Sequence, residues 1–228
     1  VRRSDAVDAS SFELSGISDI QESQYYMDSA YADMLINSLG GSYHYEKGLV
    51  VNDTAKELIE DVVTHTKNNT NLADSERAMD GFVNGIVSYY LASVRELQIF
   101  NKNVVGLYEM RPIHSDTLCG RFTDAYSISG SASKDEIAAA RVWLRYMLEE
   151  GPQKTYHLVH RHTIPLQKDA YRVYVDNNSK LNLIDGYIDN LKFYPENEKK
   201  LETLTTDLWK QVVRKRTKTI DEWCEEQK

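Results

Sequence analysis

The stretch LGGSYHYEKGLVVNDTAKELIEDVV, residues 39–63, decides the fold. Leu39-Gly40-Gly41 stops a helix, because glycine enters the left-handed region at a C-cap without the penalty that a Cβ brings. Ser42 to Val51 reads as a short hairpin that turns at Glu46-Lys47-Gly48. Asn52 or Asp53 then caps a helix that carries Leu58, Ile59, Val62 and Val63 on one face. Upstream of the diglycine, Tyr31, Met34, Leu35 and Leu39 keep helical spacing over Asp28–Leu39. Helix, stop, hairpin and capped helix set a helix-rich frame with short strands.

Further along, a polar loop from Lys67 to Asp74 leads into a helix with Met79, Phe82 and Val83 inside, ended by Gly85. Ile86–Ala92 is rich in β-branched and aromatic residues and suits a buried strand. Ser93 caps a short helix through Phe100. Val104–Met110 reads as a second strand closed by Pro112, and Ala125–Ser129 as a third. Ser133 with Glu136 three residues later forms a capping box. It opens a long helix bearing Ile137, Ala140, Leu144, Met147 and Leu148, which Gly151-Pro152 stops. A helix is expected from Gln153 to about Arg161. Ile164-Pro165-Leu166 is extended, because a residue before proline avoids the helical region. Further helices are expected near Asp169–Val175, Leu181–Leu191, Glu196–Val213 and Ile220–Glu226. Strands alternating with helices predict an α/β fold with a small sheet.

Composition agrees with long unbroken elements. Among 228 residues there are only 11 glycines and 4 prolines, well below the usual combined share of about 12%. Hydrophobic residues make up 41% and charged residues 27%, which excludes collagenous and disordered classes. A net charge of −8 and a pI near 5.3 argue against nucleic acid as a partner. No apolar run nears the ~20 residues that cross a bilayer. No apolar stretch follows Arg2-Arg3, so no signal peptide is expected within the chain. The two cysteines, Cys119 and Cys224, give no framework and no CxxC site, though a single bridge stays open.

Candidate chemistry is sparse. His157, His160 and His162 form an HxxHxH cluster, but this spacing does not set the rings on one helix face and no carboxylates complete a metal set. They read as a polar helix end, and neither a metal nor another cofactor is expected. There is no GxSxG and no Walker loop. The basic run Lys210, Arg214, Lys215, Arg216 and Lys218 reads as the cationic last turn of a helix. Tyrosine stands out, with 15 against five phenylalanines. Tyr25-Tyr26, Tyr43, Tyr45 and Tyr89-Tyr90 cluster at element ends, where a flat ring with a hydroxyl suits a sugar.

The order of these motifs resembles extracellular solute-binding proteins of ABC importers, especially the maltodextrin- and oligosaccharide-binding kind. The resemblance starts at Leu39–Tyr43 with Gly48 and the helix from Asn52 to Val63. It continues through Phe82-Val83-Asn84-Gly85 and its strand, Gly120–Ser133, the Ala138–Gly151 helix, and Ile164-Pro165-Leu166 with Tyr171. Trp209 and Thr219–Glu222 close it. It implies a helix-rich lobe of a two-lobed, periplasmic-binding-protein-like fold with a small mixed sheet. Residues 1–112 and 164–228 would form the second lobe, and residues 113–163 would return to a first lobe that lies outside this chain.

The ligand positions that this resemblance implies are Tyr25, Tyr26, Tyr43, Tyr90, Ser93, Arg95, Arg121 and Phe122. Where the family often has tryptophan at the cleft, this chain has Ser93 and Arg95, and an arginine can pair an anion or bind sugar hydroxyls. The implied function is capture of a small molecule, a sugar, outside the cell and its delivery to a membrane permease. No residue is expected to be catalytic. A leader and a lipid-anchored cysteine would belong to the preceding region. Two rivals stand beside this reading. One is a hydrolase with a dispersed site, in which His157 and His160 would meet a carboxylate in a cleft. The other is an interaction module without a ligand.

Overall fold

The computed structural model describes residues 2–3, 25–26, 32–68, 72–73, 78–85, 89–104, 108–110, 117–120, 125–181, 185–193 and 198–227. Strands β1 (Arg2–Arg3) and β2 (Tyr25–Tyr26) come first. Helix α1 (Ala32–Ser38) follows and ends in a Schellman arrangement, with Gly41 N donating to Ile36 O at 3.0 Å and Gly40 N to Asn37 O at 3.4 Å. Gly40 has φ +93°, while a Cβ on Gly41 would lie 2.7 Å from Ile36 Cγ2. The two glycines therefore do different jobs, a left-handed turn and a close approach. Strands β3 (Tyr43–Tyr45) and β4 (Leu49–Val51) form the expected hairpin. Helix α2 (Asp53–Asn68) is capped by Asn52, whose Oδ1 accepts from Ala55 N (2.9 Å) and from Ser42 N (2.8 Å). One side chain thus starts the helix and pins the diglycine loop.

Next come β5 (Leu72–Ala73), inside the stretch expected to be a polar loop, and α3 (Ala78–Val83), which ends at Gly85 with φ +76°. Strand β6 (Tyr89–Tyr90) leads through a 3-10 turn, Val94–Glu96, into α4 (Leu97–Asn103), and β7 (Tyr108–Glu109) follows. The strands assemble as β5-β2-β6-β1-β7. Strand β2 runs parallel to β5 and β6, and β1 runs antiparallel to β6 and β7. This is a small mixed sheet.

Ala125–Ser129 is not a strand but irregular extended chain. The strand of this region is β8 (Cys119–Gly120), and its parallel partner arrives only at Lys192, so alternation alone misplaced it. Helix α5 (Lys134–Met147) carries both bonds of the Ser133/Glu136 capping box. Gly151-Pro152 does not stop a helix. It lies inside the next one, α6 (Glu150–Gln153), because proline in a first turn gives up no needed N–H. A first π-helix, Lys154–Arg161, continues it, and His162 turns the chain with φ 55°. Helix α7 (Lys168–Asp176) follows. Of the helix expected over Leu181–Leu191, residues 182–184 lie outside the described residues, Asp185 is helical, and 3-10 turns stand at Ser179–Leu181 and Ile188–Asn190. Strand β9 (Lys192–Phe193) pairs with β8. Helix α8 (Glu198–Leu208) passes into a second π-helix, Trp209–Arg214, and α9 (Ile220–Glu226) ends the fold.

Two cores result. Ala32, Leu35 and Ile36 of α1, Ile59 and Val62 of α2, and Trp209 and Trp223 near the C-terminus pack in one of them. The other gathers Phe82, Tyr90, Leu97, Phe100, Tyr108, Tyr174 and Leu181. Phe82, Tyr90, Phe100 and Tyr108 meet ring to ring at 5.5–6.4 Å, mostly edge to face, as aromatic quadrupoles favour.

Candidate functional site

The turn between β6 and α4 is built around Glu96. Ser93-Val94-Arg95-Glu96 has capping-box spacing, and the Glu96 carboxylate accepts from Ser93 N at 2.8 Å. It also accepts from the Tyr90 hydroxyl at 3.0 Å. Glu96 is 8% exposed, so these donors offset the cost of burying its oxygens. The sequence reading passed over Glu96, although the S-x-x-E signal was there.

A cavity of about 210 Å³ adjoins this turn. Val94, Leu97 and Leu158 give it an apolar wall, and Gln98, His162, Tyr174, Asn177 and Asn178 supply polar groups. Three elements meet here: α4, the end of the first π-helix, and the C-terminus of α7. His162 Nδ1 lies 2.9 Å from Leu158 O and also meets the Gln98 amide. Nδ1 therefore either donates to Leu158 O or accepts from the Gln98 amide, according to the tautomer of the ring. Asn178 Nδ2 donates to Tyr174 O at 2.8 Å. Burial pushes the Tyr174 hydroxyl up to about 12.

The residues singled out in the sequence are not brought together. Tyr43 is 0% exposed in the first core, where burial raises its hydroxyl pKa well above the usual range. That hydroxyl lies 3.2 Å from Thr205 Oγ1. Thr205 gives its one hydrogen to Leu201 O at 2.8 Å, so the tyrosine is the donor. Asn37 holds the Tyr43 backbone at both N and O. Tyr90 is 2% exposed in the second core and packs on Phe82 and Phe100. Both rings are enclosed by protein, so the expectation that either stacks on a ligand is corrected. Tyr25 and Tyr26 form β2, in register with Tyr89 and Tyr90. Ser93 is half-buried beside the cavity wall, and Arg95 sits in the 3-10 turn. The side chains of Tyr25, Tyr26 and Arg95 lie outside the described residues, as do Arg121 and Phe122 altogether.

The three histidines also separate. His157 Nδ1 meets Thr163 Oγ1 at 2.6 Å, His160 is exposed, and His162 faces the cavity. Among the described residues no carboxylate lines that cavity, and no three His, Cys, Asp or Glu side chains converge. Cys119 and Cys224 are both free thiols. Lys218 of the basic run pairs with Glu226. No described helix is long and apolar enough to cross a membrane.

Helix α5 departs from ordinary packing, since none of its side chains is buried. Ile137, Ala140, Leu144 and Met147 are only half covered. Val142 is 68% exposed and Trp143 46%, with Tyr146 open beside them. Tyr126 stands edge-on against Trp143 at 5.1 Å and extends the patch.

No family model and no curated protein matches the chain. Solved structures do match. One is UgpB from Mycobacterium tuberculosis in complex with glycerophosphocholine, with TM-score 0.70, 10% identity, and 97% of this chain covering 62% of that one. Another is the maltodextrin binding protein MalE1 from L. casei BL23 without ligand, with TM-score 0.70, 12% identity, and 99% of this chain covering 65% of that one. The likeness is one of fold: a helix-rich α/β lobe of the two-lobed, periplasmic-binding-protein-like class. The chain spans less than two thirds of the length of either structure.

Proposed function

We propose that the chain is the substrate-binding component of an ABC importer, or the larger part of one, that captures a carbohydrate outside the cell between two lobes and presents it to a membrane permease. The observation that carries this reading is the fold match over nearly the whole chain to structures about half as long again. The open apolar face of α5 supports it independently. A 14-residue helix with no buried side chain leaves apolar area in water that a docked second lobe would cover. That lobe is the part of the matched structures that this chain does not span, and residues 113–163 are the segment that would reach it.

Within this reading the ligand lies at the sheet end marked by Tyr25 and Tyr26, with Ser93, Arg95, Arg121 and Phe122 as contacts. Tyr43 and Tyr90 act from beneath, holding the hairpin and the β6–α4 turn. Binding is by hydrogen bonds and ring stacking and involves no bond-making step, and hinge closure seals the ligand from water. A thermal-shift panel tests the proposal with maltotriose, glycerophosphocholine and an unrelated dipeptide. A ligand that binds only the folded state at 100 times its Kd stabilises it by about 2.7 kcal/mol. A rise with a saccharide or glycerol ester, and none with the dipeptide, is expected. A flat response throughout would remove the transport reading.

A further inference from the structure

The cavity beside α4 is present in this chain alone, with α4, the end of the first π-helix and α7 in its lining. Its chemistry is unusual for a gap in packing. Tyr174 is 4% exposed and lines the cavity. The His162 ring lines the same cavity, and Asn178 keeps Oδ1 after its amide nitrogen bonds Tyr174 O. Asn177, at the exposed end of α7, adds an amide. His162 is moreover held with φ 55°, a conformation that costs a non-glycine residue about 1–3 kcal/mol and gathers at ligand sites.

We infer that this cavity is a binding site for a small neutral polyol, glycerol- to pentitol-sized, formed within this chain beside the Ser93–Glu96 turn. Gln98, His162, Tyr174, Asn177 and Asn178 supply both donors and acceptors, as vicinal hydroxyls require, while Val94, Leu97 and Leu158 offer an apolar wall to the C–H face. Among the described residues no lysine, arginine, aspartate or glutamate lines it, so a phosphate or carboxylate would lose its hydration without a counter-charge from them. At about 210 Å³ the cavity is smaller than the ~300–1,000 Å³ usual for larger ligands.

The test is titration of the 228-residue chain with xylitol, glycerol and glycerol 3-phosphate, followed by amide chemical shifts in α4 and α7. Saturable shifts at Gln98, His162 and Asn177 are expected with xylitol. Tyr174→Phe removes one hydrogen bond and keeps the ring, so it should weaken xylitol about fivefold without lowering the melting temperature of the free protein. Asn177→Ala, at an exposed position, should weaken it similarly and covers the case in which Tyr174→Phe fails to fold. Absence of saturable xylitol shifts in these elements overturns the site. Unchanged affinity in both variants does so too, and glycerol 3-phosphate binding more tightly than glycerol overturns the neutral class. None of these outcomes bears on maltotriose binding between lobes, so failure here and failure of the transport reading are separable.

Discussion

At the scale of single residues, the diglycine of the deciding stretch is the sharpest case. Gly40 has open space around it but a left-handed φ, whereas Gly41 has an ordinary φ and no space. Gly40→Ala should cost about 1–2 kcal/mol, and Gly40→Asn less, because asparagine tolerates that conformation. Gly41→Ala and Gly41→Asn should both cost about 1–3 kcal/mol through overpacking. Urea melts of the four variants separate strain from crowding. Asp207 provides a second residue-level test. Trp223 Nε1 (2.9 Å) and Gln211 Nε2 (2.7 Å) donate to its carboxylate and hold its pKa below the usual value, the indole bond being the larger cause. A depressed folded pKa means that the ionised group stabilises above the ordinary carboxylate range, and that this is lost as pH falls through the lower folded value. Asp207→Asn should therefore be less stable than the parent at about pH 7, with the gap closing towards about pH 3.

At the scale of elements, local signals were legible where one side chain does the work. The Asn52 cap, the Ser133/Glu136 box and the Gly40 stop all stand as their spacing indicates. Signals that depend on a distant partner were not legible. Ala125–Ser129 alternates like a strand but pairs with no strand among the described residues, while Cys119–Gly120, too short to notice, pairs with Lys192–Phe193. The two π-helices were read as plain helices, since one extra residue in a turn leaves the apolar pattern almost unchanged. Helix α5 was legible as a helix and illegible as an exposed one. Because it rests on so little, its amides should exchange with solvent faster than those of α2. Trp143→Ser and Tyr146→Ser should change stability by no more than about 0.5 kcal/mol, yet reduce self-association seen by sedimentation. A large loss of stability in either variant would mean that α5 belongs to the core after all.

At the scale of the whole molecule, the fold was carried by the order of motifs rather than by any one of them. At 10–12% identity to the matched structures, only the positions that fix turns, caps and helix faces retain a readable pattern. The site was hidden for the opposite reason. Its cavity draws on residues 94–98, 158–162 and 174–178, which share no motif and meet only when α4, the first π-helix and α7 pack. Tyrosine pairs were equally ambiguous, because the same ring that stacks on a sugar also fills a core, and Tyr43 and Tyr90 do the second. Capture between lobes is tested most directly by solution X-ray scattering from a polypeptide that joins these residues to the second lobe proposed to cover α5, with and without saturating maltotriose. A smaller radius of gyration with sugar, abolished when Arg95 and Arg121 are replaced by alanine, is the expected result. An unchanged radius at saturation would contradict capture by closure.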